Sequence, residues 1–528
     1  MTGRVRPVPG PDDGFALPRP QVVAPRTLSD LAGRLAIPPG ADVPALAMIT
    51  GVTHRSSAVQ AGDLYAALPG THTHGAQFAA DAAARGAVAI MTDAEGLAIA
   101  TAILESTSVD TPVLAVDDPR LVLGPTSSWI YGEPSTKIRV LGVTGTNGKT
   151  TTSYLLDAGL RAAGEQTGLI GTIETRVGTQ VTASARTTPE APDLQALFAV
   201  MAERDVAAAS MEVSSHALAL HRVDGTQFAA VAFTNLSQDH LDFHADLEDY
   251  FAAKARLFTA GFTGVGVVNV DDEHGRTLCE RATIPIITVS AHGLDATWSV
   301  RDVVATTGGS QFVVTGPSGD TALRINLPGR FNVANALLAF VTLVAAGIDP
   351  AAAAAGIGRL ASVPGRMESV DAGQPFAALV DYAHTPEAVE MLLTTLRATT
   401  VGKLIVVLGC GGDRDRAKRP LMGAAAARLA DVAVLTSDNP RSEEPTEIVA
   451  AMLEGTMSVA SAHRADIIVE LDRRSAIAAA VTRARHGDVV VVAGKGHEQG
   501  QEVAATVLPF DDRVVLRGCL ADLVGGPS

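Results

Sequence analysis

One stretch of the chain, VLGVTGTNGKTTT at 140–152, carries glycines, a lysine and threonines spaced to bind a phosphate chain. Its pattern predicts an apolar strand, a turn on Gly145 and Gly148, and a helix beginning near Lys149. Glycines let backbone N–H groups surround an anion without a Cβ in the way. The frame is one residue longer than the common P-loop pattern, but Lys149 followed by Thr150 at a helix start favours ATP or GTP binding.

Other groups suited to phosphate chemistry follow two further predicted strands. In a P-loop, Lys149 would contact the β- and γ-phosphates and the Thr150 hydroxyl would bind Mg²⁺. Glu212 follows a predicted strand and offers carboxylate oxygens, which are hard ligands suited to Mg²⁺. His240 and His244 form an HxxxH pattern after another strand. Taken alone, that pattern is compatible with a zinc site or with an ordinary polar loop.

The bulk composition limits the class of protein. A chain of 528 residues is too long for one core, and about three domains are expected. The net charge of −16 argues against a nucleic-acid partner. The three cysteines are scattered, so no disulfide framework is indicated, and we interpret Cys410 as a small residue in a turn. Without a signal peptide or an apolar run of about 18 residues, the sequence predicts a cytoplasmic protein with no stable membrane insertion.

The elements that must position these groups are apolar runs alternating with helical patterns, which predicts an α/β protein. We place domains at 26–137, 138–363 and 364–528, after a disordered leader at 1–25. The central domain should have a doubly wound, mainly parallel sheet. In the third domain the apolar runs lack polar alternation, as in strands buried on both faces; they are 404–408, 432–435 and 488–493.

Four stretches in this order resemble the Mur ligases, the ATP-dependent amino-acid ligases of peptidoglycan precursor synthesis. They are GTNGKT from Gly145, EVSSH from Glu212, NLSQDHLDFH from Asn235 and AKARLF from Ala253, and the resemblance spans about 48–512. It implies a small α/β UDP-binding domain, a central ATPase and a C-terminal Rossmann-like domain. It also implies that ATP phosphorylates a carboxylate and that an amine then attacks the acyl phosphate, giving an amide and phosphate.

The resemblance assigns residues to ATP, which is a substrate, and to two Mg²⁺ ions. Catalytic roles are implied for Lys149, Glu212, His240 and Lys254. The implied metal residues are Thr150, Glu212, His240 and Lys254, the last as a carbamate (N6-carboxylysine). Because two anions must approach each other, neutralising their charge would dominate the chemistry. The residues expected to contact ATP are Gly145, Thr146, Asn147, Gly148, Lys149, Thr150, Thr151, Asn332, Asn335, Arg366 and Asp381.

The resemblance also implies contacts to the two small molecules that are joined. For the UDP-muramoyl-peptide precursor they are Ser56, Thr71, His72, Thr73, Thr187, Thr188, Ser214 and Arg222. Three nearby positions depart from the family pattern, namely Arg55, Ser57 and Leu220. For the added amino acid, meso-diaminopimelate, the implied contacts are Arg414, Asp438, Asn439, Pro440, Arg441, Gly494 and Glu498. A planar guanidinium such as that of Arg441 suits the second carboxylate, which lysine lacks.

Several alternatives remain at this stage. The same ligase could use L-lysine or another diamine, and a folylpolyglutamate-synthase-like ligase shares the P-loop and metal residues. That second enzyme class lacks a UDP-binding domain, so residues 48–135 argue against it. A non-catalytic scaffold is disfavoured because Lys149, Glu212, His240 and Lys254 are all present. A mechanical P-loop NTPase is disfavoured because no strand ending in Asp-Glu follows the loop. We expect a monomer.

Overall fold

The structure of the protein, a computed structural model, describes residues 17–37, 47–306, 308–504 and 506–525. Within these ranges the chain forms three α/β units, each built around its own mainly parallel sheet. This confirms the predicted fold class. None of the helices described is both long and apolar enough to cross a bilayer. The predicted leader lies outside the described residues as far as residue 16.

The first unit is a small four-stranded parallel sheet flanked by helices. Its elements are β1 (Arg26–Thr27), α1 (Leu28–Arg34), β2 (Met48–Ile49), β3 (Gly51–Thr53), β4 (Asp63–Ala66), α2 (Ala79–Ala84), β5 (Ala89–Thr92), α3 (Ala94–Thr107), β6 (Val113–Ala115) and α4 (Pro119–Ile130). Strands β3 to β6 pair in chain order, and β1 pairs antiparallel with β2. Because β3 and β4 are parallel neighbours, the loops that follow them lie at the same edge of the sheet. Those loops carry Ser56 and the Thr71–Thr73 segment.

Residues 17–25 contain no helix or strand, but they are held in place, in contrast to the predicted disorder. Arg19 Nη1 donates to both carboxylate oxygens of Asp63, at 2.8 and 2.7 Å. Two successive backbone N–H groups, of Gln21 and Val22, donate to the carboxylate of Glu203 in the central unit, at 3.1 and 2.7 Å. The segment therefore contacts both the first and the central unit.

We expect Arg19→Ala to destabilise the first unit, because the Asp63 side chain is only 3% exposed and would lose its charged partner. Losing hydrogen bonds to a charged group costs about 1.5–3 kcal/mol. The measurement is the first transition in thermal unfolding of the full chain. The control is Arg85→Ala, since Arg85 and Asp81 form an ion pair with both side chains 46% exposed, which contributes little. Equal shifts for the two variants would contradict the assignment.

The central unit carries the P-loop after an interior strand of an eleven-stranded sheet. Its elements are β7 (Arg139–Thr144), α5 (Lys149–Ala162), β8 (Thr167–Ile170), β9 (Glu174–Val177), β10 (Gln180–Ala183), α6 (Ala191–Glu203), β11 (Ala208–Glu212), α7 (Ser215–Ala219), β12 (Ala230–Phe233), α8 (Leu247–Ala255), β13 (Gly266–Asn269), α9 (Glu273–Arg281), β14 (Ile286–Ser290), β15 (Trp298–Thr306), β16 (Gly309–Gly316), β17 (Gly319–Ile325), α10 (Arg330–Ala345) and α11 (Pro350–Arg359). The strand order is β10-β9-β8-β11-β7-β12-β13-β14-β15-β16-β17.

Strands β8 to β15 of this order run parallel, and the sheet is covered on both faces. Leu141 and Val143 pack into one apolar core, together with Leu155 of α5 and Leu337 of α10. Val140, between them in sequence, packs into the core on the opposite face, as successive strand residues must. Antiparallel strands extend both edges, β9 and β10 at one and β16 and β17 at the other. These edge strands were not predicted.

The third unit is a second parallel sheet with one short antiparallel edge strand. Its elements are β18 (Glu368–Ser369), β19 (Ala377–Asp381), α12 (Pro386–Arg397), β20 (Leu404–Cys410), α13 (Lys418–Leu429), β21 (Val432–Ser437), α14 (Pro445–Met457), β22 (Asp466–Val469), α15 (Arg473–Arg483), β23 (Val489–Ala493), β24 (Gly500–Val503), β25 (Thr506–Pro509) and α16 (Asp512–Gly525). The order is β18-β19-β23-β20-β21-β22. The three apolar runs predicted as buried strands are β20, β21 and β23, and all their residues are buried.

A buried ion pair fixes the ends of two of these strands. Arg473 and Asp512 are both fully buried, with Arg473 Nη2 2.7 Å from Asp512 Oδ2. The Arg473 guanidinium also donates to the carbonyl oxygens of Ser437 and Ala493, at 3.2 and 3.0 Å. These are the last residues of β21 and β23. The pair therefore holds in place two of the three loops that carry the predicted amino-acid contacts.

Candidate active site

The P-loop is shaped by two glycines and braced by the loop after β12. Gly145 and Gly148 have φ values of +142° and +89°, which side chains rarely adopt. A Cβ on Gly148 would lie 2.5 Å from Asn335 Oδ1. Asn235 Oδ1 accepts from the Asn147 backbone N–H at 2.9 Å, and Asn235 Nδ2 donates to the Asn147 carbonyl at 3.1 Å. No role was predicted for Asn235, although its place directly after an apolar strand was an available signal; that strand, β12, lies beside β7.

Two lysines meet at one carbonyl oxygen of the P-loop. Lys149 Nζ donates to the carbonyl oxygens of Gly145 and Thr146, at 3.0 and 2.8 Å. Lys254 Nζ, from α8, donates to the same Gly145 oxygen at 2.7 Å. Lys254 is 1% exposed, and its Nζ lies 4.4 Å from the centroid of the Tyr250 ring. Burial, reinforced by the nearby Lys149 charge, lowers the pKa of Lys254 well below its usual value.

The P-loop threonine contacts both the end of β11 and the third unit. Thr150 Oγ1 donates to Glu212 Oε2 at 2.9 Å. Thr172 donates to the same carboxylate through its backbone N–H, at 2.8 Å, and its hydroxyl, at 3.1 Å. Arg366 Nη2 donates to Thr150 Oγ1 at 3.1 Å. A hydroxyl and a carboxylate side by side form a donor set suited to Mg²⁺, so these residues fit the implied metal.

His240 lies in the loop after β12, beside two other histidines. Its Nε2 is 3.5 Å from Asp239 Oδ2, and its ring packs edge-on against His216 with centroids 4.7 Å apart. Burial is the main cause that lowers the pKa of His240 to about 4, so its ring is neutral near pH 7. His244 Nδ1 lies 3.1 Å from Asp249 instead. Among the described residues, no three His, Cys, Asp or Glu side chains come together as metal ligands.

A cavity of about 1160 Å³ opens beside the P-loop, between the central and third units. Asn147, Gly148 and Asn335 line it. Asn332, one helical turn before Asn335 on α10, accepts a hydrogen bond from Asn335 Nδ2 at 3.1 Å. The two asparagines predicted for ATP therefore act as a pair at the P-loop. The cavity has ample room for a nucleoside.

Asp381, predicted to contact ATP, has both carboxylate oxygens bonded to backbone groups. It accepts from the N–H of Met367 at 2.7 Å and from that of Ala383 at 2.8 Å. Burial raises the pKa of Asp381, which Arg366 and these hydrogen bonds partly offset. In this structure Asp381 holds the backbone next to Arg366, while Arg366 itself reaches the P-loop.

The predicted precursor contacts fall into two groups. In the central unit, Thr188 Oγ1 donates to the Glu212 carbonyl at 2.9 Å and accepts from the Ser214 N–H at 3.1 Å. Thr187 Oγ1 lies 3.0 Å from Thr172 Oγ1, and Arg222 Nη1 lies 3.5 Å from the Thr188 carbonyl. The structure thus brings this group against Glu212. The other group lies at the edge of the first sheet; it comprises Ser56, Thr71, His72 and Thr73.

The predicted amino-acid contacts surround the loop after β21, Asp438–Arg441. Asn439 is central, because its Nδ2 donates to Glu498 Oε2 at 2.8 Å and its Oδ1 accepts from Lys495 Nζ at 2.8 Å. Lys495 is fully buried and also donates to Glu498 Oε2, at 2.9 Å. Lys495 was not predicted as a site residue, although it stands in the GKGHE stretch between two predicted contacts, Gly494 and Glu498. A Cβ on Gly494 would lie 2.6 Å from Asp438 Oδ2, which explains the glycine.

The two arginines predicted for the amino acid differ in their surroundings. Arg441 has a positive φ of 52°; its Nε donates to Glu502 Oε2 at 3.0 Å and its Nη1 to the Gly412 carbonyl at 2.7 Å. Arg414 is exposed and donates to the Asp413 carbonyl at 3.0 Å. Arg414 also lines a cavity of about 280 Å³ that Asp242, from the His240 loop, shares. This cavity lies between the central and third units.

Comparison with known proteins agrees with this architecture. Three family models match the chain: "Mur ligase family, catalytic domain" at 48–128, "Mur ligase middle domain" at 143–343 and "Mur ligase, glutamate ligase domain" at 365–496. The chain is similar to proteins named UDP-N-acetylmuramoyl-L-alanyl-D-glutamate--2,6-diaminopimelate ligase. The one from Streptomyces avermitilis is 55% identical over 98% of this chain and 99% of its own, and the one from Corynebacterium glutamicum 49% over 88% and 91%. A solved structure of a ligase with that name is 32% identical, with a TM-score of 0.67 over 95% of this chain and all of its own. The chain belongs to the Mur ligase family.

Proposed function

We propose that the chain is an ATP-dependent acid–amino-acid ligase, of the MurE branch of its family, in peptidoglycan precursor synthesis. It adds meso-2,6-diaminopimelate to UDP-N-acetylmuramoyl-L-alanyl-D-glutamate through an acyl phosphate. The observation that carries this proposal is the 55% identity, over nearly the whole chain, to a relative with that activity in its name. We expect the ligation to take place in the cytoplasm. Its product would serve cell-wall growth, and hence cell shape and division.

The geometry supports a phosphoryl transfer at the P-loop. An ammonium has three N–H donors, and Lys149 gives two of them to the Gly145 and Thr146 carbonyls, which leaves the third for an ATP phosphate. Arg366, bonded to Thr150, adds a second cation from the third unit. The precursor carboxylate would lie near Thr188, whose hydroxyl is bonded to the last residue of β11. These groups would hold the two anions close to each other. The repulsion between those anions is the main barrier to the reaction.

Thr150 and Glu212 would hold one Mg²⁺, with His240 and a carbamate on Lys254 near a second. Bound there, the ions would neutralise phosphate charge as the acyl phosphate forms. The neutral His240 ring has a nitrogen lone pair to offer a metal. The lowered pKa of Lys254 favours its neutral amine, which is the form that reacts with CO₂.

The amine of the incoming amino acid would arrive from the third unit. The Asp438–Arg441 loop supplies Arg441 for the distal carboxylate, and Glu498 would face the distal ammonium. Lys495 and Asn439 fix Glu498 in place through 2.9 and 2.8 Å contacts. L-lysine or another diamine remains the second candidate substrate, because Glu498 would suit either distal ammonium.

One assay tests the proposed function. ATP-dependent phosphate release is measured with UDP-N-acetylmuramoyl-L-alanyl-D-glutamate and, in parallel, meso-diaminopimelate, L-lysine or L-ornithine. We expect release to depend on both substrates and to be fastest with meso-diaminopimelate. A preference for lysine would contradict the amino-acid assignment alone. Release that needs a folate and glutamate instead would contradict the proposal as a whole.

We expect Arg441→Ala to lower kcat/KM for meso-diaminopimelate by about tenfold to a hundredfold, the worth of hydrogen bonds to a carboxylate. Arg441 keeps Glu502 and Gly412 as partners when lysine binds, so lysine leaves no unpaired buried charge. We therefore expect a smaller preference for meso-diaminopimelate over L-lysine than a buried arginine without partners would produce. The measurement is kcat/KM for both amino acids. Arg428→Ala, which removes an exposed ion pair with Glu390, is the control. If Arg441→Ala leaves the ratio of kcat/KM for meso-diaminopimelate to kcat/KM for L-lysine unchanged, Arg441 does not recognise the distal carboxylate.

A further inference from the structure

A group of charged side chains lies where the first unit meets the central unit, and only its Arg222 was predicted to bind substrate. At its centre is Glu190, whose side chain is 9% exposed. Arg222 Nε lies 2.8 Å from Glu190 Oε1, Arg120 Nη1 3.4 Å from Oε2 and Arg186 Nη1 3.9 Å from Oε1. Burial alone would raise the pKa of Glu190, but Arg222, His54 and Arg120 hold it below its usual value. Even without Arg186, two guanidinium groups face one carboxylate.

Arg120 reaches from the first unit into the central unit. It lies in the first turn of α4, and its Nη1 is also 3.3 Å from the carbonyl oxygen of Leu220. Leu220 is one of the three positions where this chain departs from the family pattern. The Arg120 side chain is 29% exposed, whereas that of Arg222 is 10% exposed. Arg120 therefore keeps N–H groups that a bound molecule can reach, next to the segment that holds Thr188.

A small cavity, of about 50 Å³, adjoins this group and is lined by residues of both units. They are Leu17, His54, Arg55, Arg186, Glu190 and Asp193, among others. His54 follows β3, two residues before Ser56, and its buried Nδ1 has no hydrogen-bond partner in the described part of the chain. A buried polar atom without a partner is costly unless a ligand or water satisfies it. The unpartnered His54 nitrogen is independent of the arginines, and it indicates that a polar ligand binds between the two units.

We propose that Arg120 binds the carboxylate of the precursor's terminal D-glutamate that does not react. The inference rests on the proposed function, in which that residue carries two carboxylates and only one becomes an acyl phosphate. A guanidinium pair from Arg120 and Arg222 holds one carboxylate by charge-assisted hydrogen bonds. The other is then left to face the Glu212 end of β11, where Thr188 is anchored. Arg120 thereby selects which carboxylate meets ATP.

Binding to the full chain is measured with three probes. The first is UDP-N-acetylmuramoyl-L-alanyl-D-glutamate; the second has its non-reacting carboxylate amidated; the third is UDP-N-acetylmuramoyl-L-alanine, which keeps the diphosphate but lacks glutamate. We expect Arg120→Ala to weaken the first by about tenfold to a hundredfold and to leave the other two within about twofold. The KM for ATP should not change. Arg120→Lys should keep part of the affinity, because it retains the charge.

The other outcomes are distinguishable. Equal weakening of all three probes would overturn the inference, because it would mean that Arg120 holds the two units together or binds the diphosphate. An unchanged affinity for the first probe would overturn it too. If the unaltered chain binds none of the probes, the proposed function itself fails. Arg301→Ala is the matched control, since Arg301 is an exposed arginine on β15 paired with Asp302 and Asp320, and it should leave all three affinities unchanged.

Discussion

Lys254→Ala should lower kcat by about a thousandfold. Losses of this size follow when one preorganised group that stabilises charge in the transition state is removed. The structure places Lys254 and Lys149 on the same Gly145 carbonyl, so their Nζ atoms can be no farther apart than the sum of the two hydrogen bonds. Two ammonium groups so close would repel each other, which, beside burial, is a cause of the lowered pKa of Lys254. Carbamylation of Lys254 would replace this repulsion with an attraction to Lys149 and would supply an oxygen ligand for Mg²⁺.

A carbamate on Lys254 would have two further consequences that can be measured. Acetate or another small carboxylate should partly restore Lys254→Ala, because it can occupy the position of the carbamate. The unaltered enzyme should lose activity in CO₂-depleted buffer and regain it with bicarbonate. That recovery should weaken as the pH falls through the lowered pKa of Lys254, because a protonated amine does not react with CO₂. Lys254→Met controls for packing and should show no rescue by bicarbonate. Full activity in Lys254→Arg would contradict the carbamate.

Lys149→Ala should also reduce kcat by about a thousandfold, because it removes the P-loop cation that would face the ATP phosphates. The variant should still bind the UDP-precursor within about twofold of the unaltered chain. Precursor binding should persist because Lys149 and the predicted uridine contacts lie in different units. Lys149 is at the start of α5 and contacts the Gly145 and Thr146 carbonyls, whereas the uridine contacts follow β3 and β4 in the first unit.

The measurements are single-turnover phosphate release and precursor binding on the same preparation. Lys137→Ala is the matched control, because Lys137 is exposed and lies just before β7, outside the P-loop. It should leave both quantities unchanged. Phosphate release by Lys149→Ala at the rate of the unaltered chain would refute the P-loop assignment. Loss of precursor binding together with turnover would instead show that the substitution disturbs the central unit as a whole.

Much of the site could be read locally from the sequence. The glycine turn, the helix beginning at Lys149 and the strand ending at Glu212 all depend on neighbouring residues, because backbone conformation and strand periodicity are local properties. The apolar runs of the third unit were confirmed as β20, β21 and β23 for the same reason. The resemblance in motifs then led to the family, which the comparisons confirmed.

Only the tertiary structure decided which distant groups meet. Lys254 donates a hydrogen bond to the Gly145 carbonyl oxygen, 109 positions away, and Arg366 donates one to the Thr150 hydroxyl, 216 positions away. The sequence pattern at Lys254 equally suited an exposed lysine, because a helix shows which residues share a face but not what covers that face. Neither contact has a local signal, since each depends on the order of strands in a sheet and on how two units pack.

The same limit explains the remaining differences. The outermost strands of the central sheet, β10 and β17, were missed because most of their residues are exposed or half-buried and they lack the apolar run that marked the buried strands. Arg441 was predicted to meet the second carboxylate of the amino acid, but its pairing with Glu502, 61 positions away, has no local signal and lowers the selectivity that we expect from it. Arg120 had no motif at all, and only its approach to Glu190 and Leu220 gives it a role. Local chemistry thus determined the P-loop and the strands, while long-range packing determined what each charge faces.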